Sequence, residues 1–231
     1  MTLRAETISK QYFRKTGEAN YFYAVKPLSL TLSPGTVTVL CGRSGSGKTT
    51  LLHMLSGLLT PTEGKVFLDD TDLYSLSDRE LSQMRNRSIG VIPQGRSVIE
   101  TLSVIENILL PGGLYQREDR REAAFSWMDT LGIRHLEHAK PSELSGGELR
   151  RVAIARTMTG NPEIILADEP TGDLDDENTE CVFKLFRASA EKGAAVFIVT
   201  HEMDAMQIAD KAYRMDGGEM KELPLPEKTR K

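Results

Sequence analysis

Two cysteines in 231 residues, Cys41 and Cys181, are too few for a disulfide framework. Reduced, buried thiols in a reducing cytosol are the expectation. No run approaches the roughly 18 apolar residues that a membrane-spanning helix needs, and the first six residues lack the apolar core of a signal peptide. Work at a membrane would therefore mean docking to another protein there. Basic charge is not in excess either: 29 basic against 33 acidic residues leave a net charge of −4. That balance argues against nucleic acid as a partner, which would call for a basic face. The basic clusters (Arg85 with Arg87, Arg117 with Arg120 and Arg121, Arg150 with Arg151) read as solvated helix faces. Internal repeats and low-complexity segments are absent. What remains, 39% hydrophobic and 27% charged residues, is an ordinary composition with material for one sizeable core.

Three apolar runs, Val37–Cys41, Ile164–Ala167 and Ala194–Thr200, are continuous rather than alternating, the pattern of buried parallel strands. Each is followed at once by polar or glycine-rich residues: Gly42-Arg43-Ser44-Gly45, Asp168-Glu169-Pro170 and His201-Glu202. In open α/β sheets, ligands bind just beyond the carboxyl ends of the strands, so three such segments imply one site assembled from distant sequence. Between the first two runs, residues 77–159 read as mostly helical, with a helix over Asp119–Leu131 from the spacing of Ala123, Ala124, Trp127, Met128 and Leu131. The first 35 residues read as irregular or antiparallel strands, with Leu28, Leu30 and Leu32 alternating against Ser29, Thr31 and Ser33. Residues 225–231 read as a frayed, charged tail to a single domain of residues 1–224.

Gly42-Arg43-Ser44-Gly45-Ser46-Gly47-Lys48-Thr49 fits G-x-x-x-x-G-K-[ST], placed after a strand and before a helix marked by Leu51, Leu52, Leu55, Leu58 and Leu59. The glycines let backbone N–H groups turn toward phosphates, and the helix start adds partial positive charge. Lys48 would bring a mobile cation to the β- and γ-phosphates of ATP, with the Thr49 hydroxyl ligating Mg²⁺. At the end of the second run, Asp168 can hold that Mg²⁺ through its water shell, and Glu169 is placed to orient or deprotonate an attacking water. An acidic pair after a strand also suits helix capping; its company with Lys48 favours chemistry. Leu144-Ser145-Gly146-Gly147-Glu148 contains a capping box, Ser145 with Glu148, that opens a helix through Arg150, Val152, Ala153 and Met158. Capping does not explain two glycines in a first turn. Bare N–H groups beside a serine hydroxyl make a second anion site.

These motifs, with Gln94, Asp175 and His201 in this order and spacing, resemble the ABC ATPase family from about Leu3 to Met220. The resemblance implies an α/β fold: a RecA-like P-loop NTPase core, a small antiparallel β subdomain and an α-helical subdomain inserted at about 77–159. It implies two such domains head to tail, each ATP lying between Gly42–Thr50 of one and Ser145, Gly146, Gly147 and Glu148 of the other. It makes Gln94 a sensor of Mg²⁺ and water, sends Asp175 across the dimer interface, and sets His201 on the γ-phosphate. An aromatic near the end of the first strand would stack on adenine, Tyr12 being the choice and Phe13 the alternative.

Within the family, Gly17-Glu18, Glu106-Asn107-Ile108-Leu109-Leu110-Pro111 and Ala167-Asp168-Glu169-Pro170-Thr171-Gly172 are similar to the MacB, LolD and FtsE types. Two stretches depart from those types. Glu148-Leu149-Arg150 stands where glutamines are usual, and Pro93-Gln94-Gly95-Arg96 lacks aromatic neighbours. The resemblance implies a transmembrane permease subunit as partner, a second ATPase copy, and a place on the cytoplasmic side of the cell membrane. An FtsE-like ATPase that drives a membrane partner without transport is the alternative. A soluble ABC ATPase acting on nucleic acid or ribosomes is more remote, because the chain has neither long coiled coils nor a second ATPase domain.

Overall fold

The computed structural model describes residues 1–13, 21–95, 97–114 and 120–225. In chain order the main elements are β1 (Leu3–Phe13), β2 (Tyr21–Leu32), β3 (Val37–Gly42), α1 (Lys48–Leu55), β4 (Glu63–Leu68) and β5 (Thr71–Asp72). Then come α2 (Asp78–Ser88), β6 (Ile89–Ile92), α3 (Val104–Leu114), α4 (Arg121–Thr130) and α5 (Gly146–Thr159). The chain continues through β7 (Ile164–Asp168), α6 (Asp176–Glu191), β8 (Ala195–Thr200), β9 (Lys211–Asp216) and β10 (Glu219–Leu223).

The three apolar runs become β3, β8 and β7, parallel neighbours in a six-stranded sheet of order β10-β9-β3-β8-β7-β6. Their runs are continuous because both faces are covered. Val39, Ile165, Ala167, Val196 and Ile198 point into one core, which α3 to α6 close. Leu40, Ile164, Leu166, Phe197 and Val199 point into the other, shared with α1 and the second sheet. That second sheet, β2-β1-β4-β5, is antiparallel, and the Leu28–Leu32 alternation lies on β2 with Leu30 and Leu32 buried.

Several expectations change. The stretch 77–159, read as mostly helical, holds α2 to α5 but also a strand, since Ile89–Ile92 forms β6 and pairs in parallel with β7. The helix after the glycine loop stops at Leu55, and Leu58 is exposed in the turn beyond it. The helix expected from Asp119 begins at Arg121 as α4, burying Ala124 and Met128; Asp119 itself lies outside the described residues, as do Gly17, Glu18, Arg96, Arg117 and residues 226–231. Both cysteines are free thiols, but only Cys41 is buried; Cys181 is half-buried.

The basic clusters are not simply solvated faces. Arg85 donates to the Gly57 carbonyl at 2.7 Å, Arg120 to the Thr159 carbonyl at 2.7 Å, and Arg151 to Asn178. Arg150 is buried altogether. Guanidinium groups can turn inward in this way because five donors suit carbonyls that helix and loop ends leave unpaired.

Candidate functional site

A cleft of about 880 Å³ opens where β3, β7 and β8 end. Its floor is the loop from Arg43 to Thr50 together with Asp168, Glu169 and His201, and Gln94 borders it just past β6. Tyr12, Phe22, Tyr23 and Ala24 from the antiparallel sheet form the opposite wall, with Gly217 and Gly218 between.

The loop is shaped by close approach. Gly47 has φ 107°, and a Cβ there would stand 2.1 Å from the Ala24 carbonyl oxygen, so only glycine fits. Gly47 is also the N-cap of α1, which has neither a capping side chain nor an acidic residue in its first turn. The first N–H groups of α1 therefore face the cleft without a competing anion. Lys48, nearly buried, donates to the carbonyls of Gly42 at 2.7 Å and Arg43 at 3.0 Å. It spans its own loop at the level where phosphates would lie.

Asp168 is 1% exposed, and neither carboxylate oxygen has a hydrogen-bond partner of regular geometry. Burial pushes its pKa up, an effect that the neighbouring Thr49 hydroxyl opposes and the Glu169 charge reinforces. A buried carboxylate whose oxygens lack a regular hydrogen bond, beside a threonine hydroxyl, suits a hard cation. No cluster of three or more His, Cys, Asp or Glu among the described residues could hold a metal alone. A cation here would need ligand oxygens as well.

Glu169 is held in a left-handed backbone conformation, φ 48°, which costs a non-glycine residue on the order of 1–3 kcal/mol. Its Oε2 accepts from Thr200 Oγ1 at 3.1 Å, from the His201 backbone N–H at 3.3 Å and from His201 Nδ1 at 2.9 Å. The strain turns the side chain away from β7 and across the end of β8. Glu169 and His201 thus form one unit at the cleft floor.

Of the residues expected at a nucleotide site, the cleft gathers Tyr12, Arg43 through Thr50, Gln94, Asp168, Glu169 and His201. Gly42 stands just behind, as the acceptor for Lys48. Phe13 turns to the other side, its ring 5.4 Å from that of Tyr21. Phe22 and Tyr23 line the wall and were not expected. Phe22 faces Tyr12 across the strand pair, with ring centroids 5.9 Å apart.

Ser145, Gly146, Gly147, Glu148 and Asp175 are absent from the cleft lining. Ser145 caps α5: its Oγ accepts from Glu148 N at 3.3 Å, while Glu148 Oε2 accepts from Ser145 N and Oγ, both at 2.7 Å. Those two bonds hold the Glu148 carboxyl below its ordinary pKa. Asp175 caps α6, accepting from Asn178 N at 2.8 Å, which holds its pKa low as well. The two caps are adjacent through the intervening loop, since a Cβ at Gly147 would stand 3.0 Å from the Asp173 carbonyl oxygen.

A glycine loop at the end of β3, with acidic residues ending β7, defines a P-loop nucleotide-binding protein. Comparison with known proteins narrows this. Residues 25–172 match the ABC transporter family. The lipoprotein-releasing system ATP-binding protein LolD 2 of Rhodopirellula baltica is 37% identical over 227 residues, covering 94% of this chain and 88% of the relative. The LolD protein of Aquifex aeolicus is 37% identical over 94% of this chain and 95% of its own length. The macrolide export ATP-binding/permease protein MacB of Syntrophobacter fumaroxidans is 37% identical over 92% of this chain but only 31% of its own length. Among solved structures, the ATP-binding cassette MJ0796, a dimer in a post-hydrolysis state bound to ADP and Pi, superimposes with a TM-score of 0.89 at 34% identity, covering 97% of this chain and 99% of that one. The chain belongs to the ABC transporter family, as an ATPase of the LolD and MacB type.

Proposed function

We propose that two copies of this chain close on two ATP molecules, hydrolyse them and open again. The cycle would drive a separate transmembrane permease from the cytoplasmic side, in an exporter of peptide, lipoprotein or drug. Among the described residues no helix is long and apolar enough to cross a membrane, and the permease supplies that part. LolD and MacB are named for lipoprotein release and macrolide export, the basis for the lipoprotein and drug classes.

One observation carries the shared site: Ser145, Gly146, Gly147, Glu148 and Asp175 do not line the cleft that holds Lys48, Asp168 and Glu169. In a head-to-tail pair, the start of α5 in one protomer would cover the phosphates held by α1 of its partner. Lys48 would exchange the Gly42 and Arg43 carbonyls for β- and γ-phosphate oxygens, and Tyr12 would stack on the base. Glu169 would orient the attacking water and take its proton, while His201 would turn from Glu169 to the γ-phosphate. Mg²⁺, when bound, neutralises phosphate charge, and Thr49, Asp168 and Gln94 are the residues that would hold it or its waters.

Mixing two damaged chains tests the shared site. Lys48→Ala removes one half-site and Ser145→Arg fills the other, so each homodimer should be inactive. In a mixed dimer, one site combines both damaged halves and the other combines two intact ones. About half of randomly paired dimers are mixed, so part of the activity should return. ATP-dependent dimerisation of a Glu169→Gln chain with each variant, read by gel filtration, reports sharing without turnover. Absence of both rescue and dimer would rule the shared site out.

A further inference from the structure

Helix α5 grips the loop after β6 on both sides of Gln94. Beyond Gln94, Arg156 donates to the Ser97 carbonyl at 2.7 Å and to Ser97 Oγ at 2.9 Å. Before it, Arg150 Nη1 donates to the Pro93 carbonyl at 2.7 Å. Arg150 reaches further: Nη2 meets Asp173 Oδ2 at 3.4 Å, in the loop on which Gly147 rests. One guanidinium thus touches the residue preceding Gln94 and the loop between the caps of α5 and α6.

Stability does not account for this placement. The Arg150 side chain is 3% exposed, its charge partner Asp173 is 56% exposed, and its Nε is buried without a hydrogen-bond partner among the described residues. Burying a charge against so wet a partner gives little net stabilisation. A planar fork with two diverging donors does suit a connector between two loops.

We propose that Arg150 is a positioning residue that couples Gln94 to the Asp173 loop and the start of α5. Closure on ATP at one would then be felt at the other. The inference rests on the reading of Gln94 as the sensor of Mg²⁺.

Calorimetry of ATP binding in a Glu169→Gln background, with Mg²⁺ and with chelator, reads the coupling without turnover. Arg150→Met keeps the apolar stem and removes both donors. It should reduce the Mg²⁺-dependent gain in ATP affinity by about fivefold or more, the low end for linked sites. Affinity in chelator should not change. Gln94→Ala should reduce the same gain, and the double variant should lose no more than Gln94→Ala alone, as members of one pathway do. Additive losses, or a full gain in Arg150→Met beside a reduced gain in Gln94→Ala, would overturn the inference while leaving the Gln94 reading in place. A full gain in Gln94→Ala would overturn the Gln94 reading and this inference with it. Should Arg150→Met fail to fold, Asp173→Ala cuts the same connection from its exposed end. It should lower the gain in the same direction, and an undiminished gain there counts against the coupling.

Discussion

Helices α1 and α5 each have glycine at the start, Gly47 as the N-cap of α1 and Gly146 as the first residue of α5, and they differ in what meets their first N–H groups. At α1 no capping side chain among the described residues does: Gly47 offers none, and the first turn holds no acid. At α5 the chain supplies its own anion, because Glu148 accepts from both the backbone N–H and the hydroxyl of Ser145. An incoming phosphate finds α1 open and competes with Glu148 at α5. The open end relies on buried, strained surroundings to keep it ready, whereas the closed end is exposed and self-sufficient. On the proposed shared site, one half-site would load nucleotide alone; the other would engage only when something stronger than its own carboxylate arrives.

Alanine at the two glycines should separate these ends most sharply. Gly47→Ala forces a Cβ into the Ala24 carbonyl at a left-handed φ. It should cost on the order of 2 kcal/mol or more, lowering Tm by about 4–8 °C in a chain of this size, and should abolish ATP binding. At Gly146 a Cβ comes no nearer than 3.8 Å to Asp173 Cβ. Gly146→Ala should leave Tm unchanged or slightly raised, while hydrolysis by the dimer falls. Equal Tm losses in a thermal scan would erase the contrast.

A smaller effect lies at Asp168, the buried acid of the open half-site. Burial raises its pKa in the folded chain, so it destabilises the fold when ionised. That penalty is absent below the unfolded value of about 4 and grows as pH rises through the folded value. Asp168→Asn should therefore raise the Tm of the metal-free chain by a few degrees at pH 7, with no difference near pH 4. A lower Tm at pH 7 would mean that Asp168 is partnered in solution.

The smallest effect lies at the closed end. The folded pKa of Glu148 is depressed, so its capping contribution is present above the unfolded value near 4.5 and is lost as pH falls through the folded value. Glu148→Gln keeps a capping side chain at every pH. Its Tm should drop less than that of the parent between about pH 5 and pH 3. Parallel Tm curves across that window would remove Glu148 as the anion of α5.

The half-sites differ in legibility too. Lys48, Asp168 and Glu169 could be found because each sits at a fixed offset from the end of an apolar run, and those runs stand out when a sheet is covered on both faces. β6 did not stand out. It has four residues at the sheet edge, and its Gly90 leaves room for Pro162 and Thr157, with a Cβ there 2.6 Å from each. Phe22 enters the cleft wall by its register against Tyr12, and spacing in one strand does not give the pairing across two. Arg150 reads as surface charge in any one-dimensional pattern. Its inward turn depends on the Pro93 carbonyl, which only the packing of α5 against that loop brings within reach.

The walls of the phosphate loop come from far along the chain. A Cβ at Gly42 would lie 2.3 Å from the Met215 carbonyl oxygen, Gly218 N donates to Ser46 O at 3.0 Å, and Lys26 N donates to Gly218 O at 2.8 Å. On a ribosome, every motif through His201 emerges before the β9–β10 hairpin that braces the loop against β2. A nascent chain that has passed His201 thus carries the whole chemical vocabulary of the site and still lacks its enclosure. The β9–β10 strands, synthesised after every one of these motifs, finish the place where nucleotide would sit, so competence to bind ATP would arrive only once they have emerged.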